Sequence, residues 1–138
     1  MRQQIEAILR GEAPPPPVAE LLGIRIVSVD EGECVFEMEA APEHANPMGT
    51  VQGGVICALA DAAMGLAYAS LLDDGESFTT LELKTNYLRQ VTDGKLVATG
   101  RVVHAGRTIG LTTCDVVDAE GRKVAHATST CMTLREQR

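Results

Sequence analysis

Residues 53–72, GGVICALADAAMGLAYASLL, constrain this chain more than any other stretch. They are apolar on every side of a helix, rich in alanine and free of proline. A helix with no polar face has to be buried. At 1.5 Å per residue it would run roughly 30 Å. Asp61 interrupts it and Asp73-Asp74-Gly75 closes it, so it does not read as a membrane span. The rest of the chain must therefore supply a cover of about the same length.

The cover reads as strands. Ile24, Ile26, Val27 and Val29 form an alternating segment that ends at Asp30-Glu31-Gly32, a hairpin turn. In residues 33–40, Cys34, Phe36 and Met38 alternate with Glu33, Val35, Glu37 and Glu39, giving a strand with one wet face. Residues 41–51 carry Pro42, Asn46-Pro47 and Gly49, a loop by its breakers. After the helix, residues 78–91, 95–104, 108–117 and 123–134 are β-branched stretches. Asp93-Gly94, Ala105-Gly106 and Glu120-Gly121 punctuate them as hairpin turns, so these four strands are expected to form a meander. Ten strand residues cover roughly 33 Å, which matches the helix. A curved antiparallel sheet wrapped around that helix is expected, with the N-terminal segment or a second subunit covering the remaining face.

At 138 residues the chain makes one domain. Residues 1–17 read as a helix (Ile5, Ile8 and Leu9 at helical spacing) followed by a stiff proline tether, and residues 18–138 as the folded domain. The first residues show no apolar stretch followed by a small-residue cleavage site, so no signal peptide is expected. Cys34, Cys57, Cys114 and Cys131 form no C-x-x-C, which favours free thiols in a cytoplasmic protein and no metal. A net charge of −7 argues against nucleic-acid binding, and the scarcity of aromatics against a base-stacking surface. His44, His104 and His126 are dispersed and suggest neither a metal site nor a catalytic pair.

Two features inside the helix carry chemistry. Gly53-Gly54 sits at its N-terminus, where N–H groups are unpaired and the field is positive. It either provides only a tight turn or lets a carbonyl approach the backbone closely. Asp61 is the only charged residue between Val51 and Leu72, and its helical neighbours Cys57, Ala58, Met64 and Gly65 cannot pair its charge. Such a carboxylate is costly unless it has partners or a task.

The run Asn46-Pro47-x-Gly49-x-Val51-Gln52-Gly53-Gly54, then Leu59-Ala60-Asp61 and Leu81-Glu82-Leu83-x-x-x-Tyr87-Leu88, resembles the phenylacetate-type (PaaI-like) branch of the 4-hydroxybenzoyl-CoA thioesterase superfamily. The resemblance spans residues 19–134. It implies an α+β hot-dog fold, with a long central helix wrapped by a curved antiparallel sheet of about five to six strands. The implied enzyme hydrolyses a small aromatic or short- to medium-chain acyl-CoA to free acid and CoA, and needs no cofactor beyond the CoA of its substrate. By resemblance Asp61 is the catalytic carboxylate, as nucleophile or as general base. The Gly53 N–H is the oxyanion donor. Asn46 orients the carboxylate or the attacking water, against a plain reading as an Asn-Pro turn. Thr80 holds the water, its neighbour Thr79 pointing the other way. Gln52 and Gly54 are placed at the substrate. Arg107 lies in a turn resembling the one the family sets near the nucleotide, with Lys84, Arg89 and Arg101 as alternatives. Met48, Met64, Tyr68 and Tyr87 are candidates for the acyl pocket wall.

The family usually has His where this chain has Gln52, and Gln cannot act as a general base. The resemblance further implies a homodimer with shared sites, assembled into a homotetramer. Gly53, Gly54 and Asn46 would come from one subunit, Asp61 and Thr80 from the other. A non-catalytic acyl-CoA or acyl-carrier binding module of the same fold is the rival. A dehydratase is disfavoured because the loop-helix run holds no histidine except His44. No membrane contact is expected.

Overall fold

The computed structural model describes residues 1–136. Its elements are α1 (Arg2–Leu9), α2 (Pro17–Leu22), β1 (Ile24–Asp30), β2 (Glu33–Ala40), a 3-10 turn (Pro42–His44), α3 (Gly53–Ala69), β3 (Glu76–Tyr87), β4 (Gly94–Ala105), β5 (Ile109–Val117) and β6 (Lys123–Arg135). The six strands form one antiparallel sheet in the order β1-β2-β4-β5-β6-β3. Helix α3 packs against all six, so the sheet wraps it and the hot-dog architecture is formed.

The expected four-strand meander is corrected. Only β4, β5 and β6 follow one another in space. β3 leaves the helix, pairs with β6 and forms one edge of the sheet, while β4 inserts beside β2. Asp93-Gly94 therefore starts β4 after a crossover and closes no hairpin. The other turns join neighbouring strands, and Gly32 and Gly121 occupy positive φ there. Pro17 also leaves the tether: it occupies the first turn of α2, where a missing N–H costs nothing, and Gly23 ends that helix in the left-handed region.

The alternation of β2 becomes burial. Cys34, Phe36 and Met38 face inward with Leu96 and Ala98 of β4 and Cys114 and Val116 of β5, against Leu59, Ala60, Ala63, Met64 and Ala67 of α3. Full burial of a Leu or Met side chain stabilises by about 1.5–3 kcal/mol. Backbone meets backbone at Gly100 of β4, where an added Cβ would lie 2.4 Å from the backbone of Ala63.

Burial of α3 is not all-round, however. Gly54 and Asp61 are exposed, and Cys57, Ala58 and Ala62 are half-buried. The half-open side is the one facing β3, the edge strand of the sheet, and the N-terminal segment.

Candidate active site

Along that side, α3 and β3 run past each other residue by residue. Gly53, Cys57, Asp61 and Gly65 recur every four positions, which stacks them on one stripe of the helix. Tyr87 lies over Gly53 and its hydroxyl donates to the Gly53 carbonyl at 2.7 Å. The Thr85 hydroxyl donates to Cys57 Sγ at 3.6 Å. Thr80 Oγ1 lies 3.5 Å from Asp61 Oδ1, the long limit of a hydrogen bond. The Phe78 ring lies over Gly65, where an added Cβ would come within 3.1 Å. A bulge at Leu81 makes this match possible: it shifts the register between Thr80 and Glu82, so Leu83, Thr85 and Tyr87 still point at the helix. Thr79, on the opposite face, is exposed.

The Asp61 carboxyl is held above the ordinary carboxylate range. Loss of surrounding water is the main cause, and the hydrogen bond from Thr80 opposes it. Solvent still reaches the residue. Beside it opens a cavity of about 980 Å³. Asp61, Ala62, Gly65 and Leu66 of α3 form one wall, with Phe78 and Thr80 of β3 and Phe36 of β2. The N-terminal segment forms another, through Ile5, Ile8 and Leu9. The helical spacing of those three residues was visible in the sequence; that they and the two phenylalanines enclose space beside Asp61 was not.

The loop before α3 is held by its own polar groups. Asn46 Oδ1 accepts the N–H groups of Met48 (3.0 Å) and Thr50 (3.2 Å), and Asn46 Nδ2 donates to Thr50 Oγ1 at 3.0 Å. His44 is buried. Its Nδ1 accepts from the Ala41 N–H at 3.0 Å, so its Nε2 carries the proton and donates to the Leu22 carbonyl at 2.8 Å. It is a structural histidine. Gln52 occupies the N-cap without a side-chain cap bond and is exposed. Among the described residues no acceptor meets the N–H of Gly53 or Gly54.

Other candidates are relocated. Met64 is fully buried in the closed core, away from the cavity. Tyr68 is 2% exposed, edge-on to Phe78 and hydrogen-bonded to Thr133 at 2.6 Å, with Gly110 leaving room for its ring. Both are corrected from pocket wall to core, because the sheet closes over the C-terminal half of α3. Met48 is exposed on the loop and lines no part of the cavity. Arg101 pairs with Glu33 at 2.8 Å. Lys84, Arg89 and Arg107 make no carboxylate pair among the described residues, and the Arg107 carbonyl accepts from Arg135 at 2.7 Å. His126 pairs with Asp115 on the outer sheet face. No cluster of three potential metal ligands occurs among the described residues. No helix there is long and apolar enough to cross a membrane.

Comparison with known proteins agrees with this geometry. The family model described as thioesterase superfamily matches residues 48–125, from the loop through α3, β3, β4 and β5 to the start of β6. A solved phenylacetic acid degradation-related protein from Ralstonia eutropha JMP134 superposes with a TM-score of 0.85 at 36% identity, covering 94% of this chain and 98% of that one. The PaaI protein of the E. coli phenylacetic acid degradation operon superposes with a TM-score of 0.84 at 27% identity, over 96% and 92% of the two chains. A 1,4-dihydroxy-2-naphthoyl-CoA hydrolase of Listeria monocytogenes is 33% identical over 89 residues, 64% of this chain and 72% of that one.

Proposed function

Since the chain belongs to the thioesterase superfamily and is a thioester hydrolase, we propose that it cleaves acyl-CoA thioesters of small aromatic or short- to medium-chain acids. One observation carries this reading. Asp61 stands on the open side of α3, within reach of the Thr80 hydroxyl and at the wall of an apolar chamber. A carboxylate there, held above its ordinary range by desolvation, is a better base or nucleophile than one in water. As general base it takes a proton from a water held by Thr80, and that water adds to the thioester carbon. As nucleophile it adds itself, giving a mixed anhydride that water then cleaves. In both cases the C–S bond breaks, the thiolate of CoA leaves and takes up a proton, and the acid is released.

The developing oxyanion is assigned to the N–H of Gly53, whose side is shaped by Tyr87. Eight helical steps separate Gly53 from Asp61, about 12 Å along the axis. One thioester carbonyl cannot touch both within a single chain. The site is therefore proposed to be shared in a homodimer, Gly53, Gly54, Gln52 and Asn46 of one copy facing Asp61 and Thr80 of the other. The free edge of β3, which carries Thr80, supports such pairing. A homotetramer of these dimers and CoA phosphates near Arg107 complete the proposal. One observation favours the rival, a non-catalytic acyl-CoA binder: both ends of the Asn46 amide are engaged within its own loop.

Incubation with a panel of acyl-CoAs and a thiol reagent separates the two. Wild type should release CoA, and Asp61→Asn should lower kcat/KM by about 10²–10⁴. Release from no acyl chain would leave only the binding module. An undiminished Asp61→Asn rate would remove Asp61 from the chemistry.

A further inference from the structure

The chamber beside Asp61 is larger and more aliphatic than hydrolysis of a small acid requires. Its volume of about 980 Å³ is at the upper end of the range for small-molecule sites. Its Gln4, Glu20 and Arg25 are exposed, so the polar groups sit at the outside and not in the depth. Opposite Asp61, the wall is α1, an eight-residue helix with no side-chain cap and only Ile5 buried. A helix this short does not hold together alone, so it depends on its apolar stripe finding cover. Ile8 is half-buried and Leu9 is 38% exposed, and both turn into the chamber. The apolar side of α1 thus faces space continuous with the reactive carboxylate.

We infer that this chamber is the acyl subsite and that α1 is its length gauge, fitted to a flexible saturated acyl chain of the octanoyl-to-dodecanoyl class rather than to a single aromatic ring. The identity of the ligand rests on the thioesterase reading above. A single ring would leave most of the chamber unfilled, and lining atoms without partners lose their dispersion contacts. The deep lining offers no polar side chain to a ring substituent except Asp61 and Thr80, which are engaged at the thioester. A growing aliphatic chain gains contact with each methylene until it meets Ile8.

The test measures kcat/KM for saturated acyl-CoAs from acetyl to palmitoyl, with benzoyl- and phenylacetyl-CoA, on wild type and Ile8→Trp. Wild type should gain about two- to fourfold per methylene up to decanoyl, and turn over phenylacetyl-CoA about tenfold less well than decanoyl-CoA. Ile8→Trp should shift the optimum to shorter chains, lowering decanoyl-CoA turnover more than hexanoyl-CoA turnover. An aromatic optimum, or an equal loss at every length in Ile8→Trp, overturns the assignment. The chain has no tryptophan, so Gln4→Trp adds a single reporter at the chamber rim. Its emission should shift to the blue with decanoyl-CoA and not with acetyl-CoA. A shift without hydrolysis would sink the thioesterase reading and keep the chamber. Hydrolysis without a shift would sink the chamber and keep the thioesterase.

Discussion

The two sides of α3 use small residues for opposite ends. On the side facing β4, Ala60, Ala63 and Ala67 are completely buried and Gly100 lets two backbones touch. There, smallness serves closeness. On the side facing β3, Gly53 and Gly65 lie beneath the rings of Tyr87 and Phe78, while Cys57 and Asp61 between them meet threonine hydroxyls. There, smallness makes room for polar contacts on an otherwise apolar helix. The first side defines the fold, and the second holds the groups that chemistry would use.

If the contrast is real, substitutions on the two sides should separate stability from activity. Gly100→Ala should have the largest effect, lowering unfolding free energy by about 3 kcal/mol, because its Cβ meets backbone that cannot yield; denaturant titration reads it, and a mild loss would mean that the two backbones can part. Asp61→Asn should act the other way at neutral pH. The folded state holds the Asp61 proton more tightly than the unfolded chain does, so the contribution of Asp61 to stability is fully present below its ordinary value and is lost as pH rises through the raised value. The variant should therefore melt higher than wild type at pH 7.5, and the gap should vanish on acidification. A lower melting point at pH 7.5 would place Asp61 among the stabilising residues. Thr80→Val removes the one hydrogen bond that lowers the Asp61 value. It should move the acid limb of the kcat/KM profile to higher pH and cost about two- to tenfold below neutrality; an unmoved limb would separate the two residues. Gly54→Ala is the smallest change. Nothing lies within 4 Å of its added Cβ, so stability should shift upward by less than about 1 kcal/mol.

The strands, turns and helix were legible because alternation and breakers are local signals. The place of β3 was not: Asp93-Gly94 reports that the chain turns, and carries nothing about which strand it joins next. The Leu81 bulge was equally hidden, and strict alternation from Phe78 would have turned Glu82, Lys84 and Asn86 toward the helix. Asp61 stood out as the lone charge on α3, and the parity of β3 aimed Thr80 rather than Thr79 at it. Tyr68 shows where azimuth fails. Seven residues after Asp61 it shares the same helix side, but β3 and β6 close over it through Phe78 and Thr133. Helical position predicts direction, and only the wrapped sheet decides what waits there.

The pairing of β3 with β6 has a consequence for synthesis. Glu76 waits for Arg135 and Tyr87 for Ala125, so β3 emerges long before its partner. Non-local pairing of this kind is slow and leaves a strand edge open in the meantime. Until β6 has been made, Thr80 sits on a strand that nothing anchors to the sheet. A chain stopped by translation arrest before β6 should thus form α3 and still lack the assembled contacts between α3 and β3.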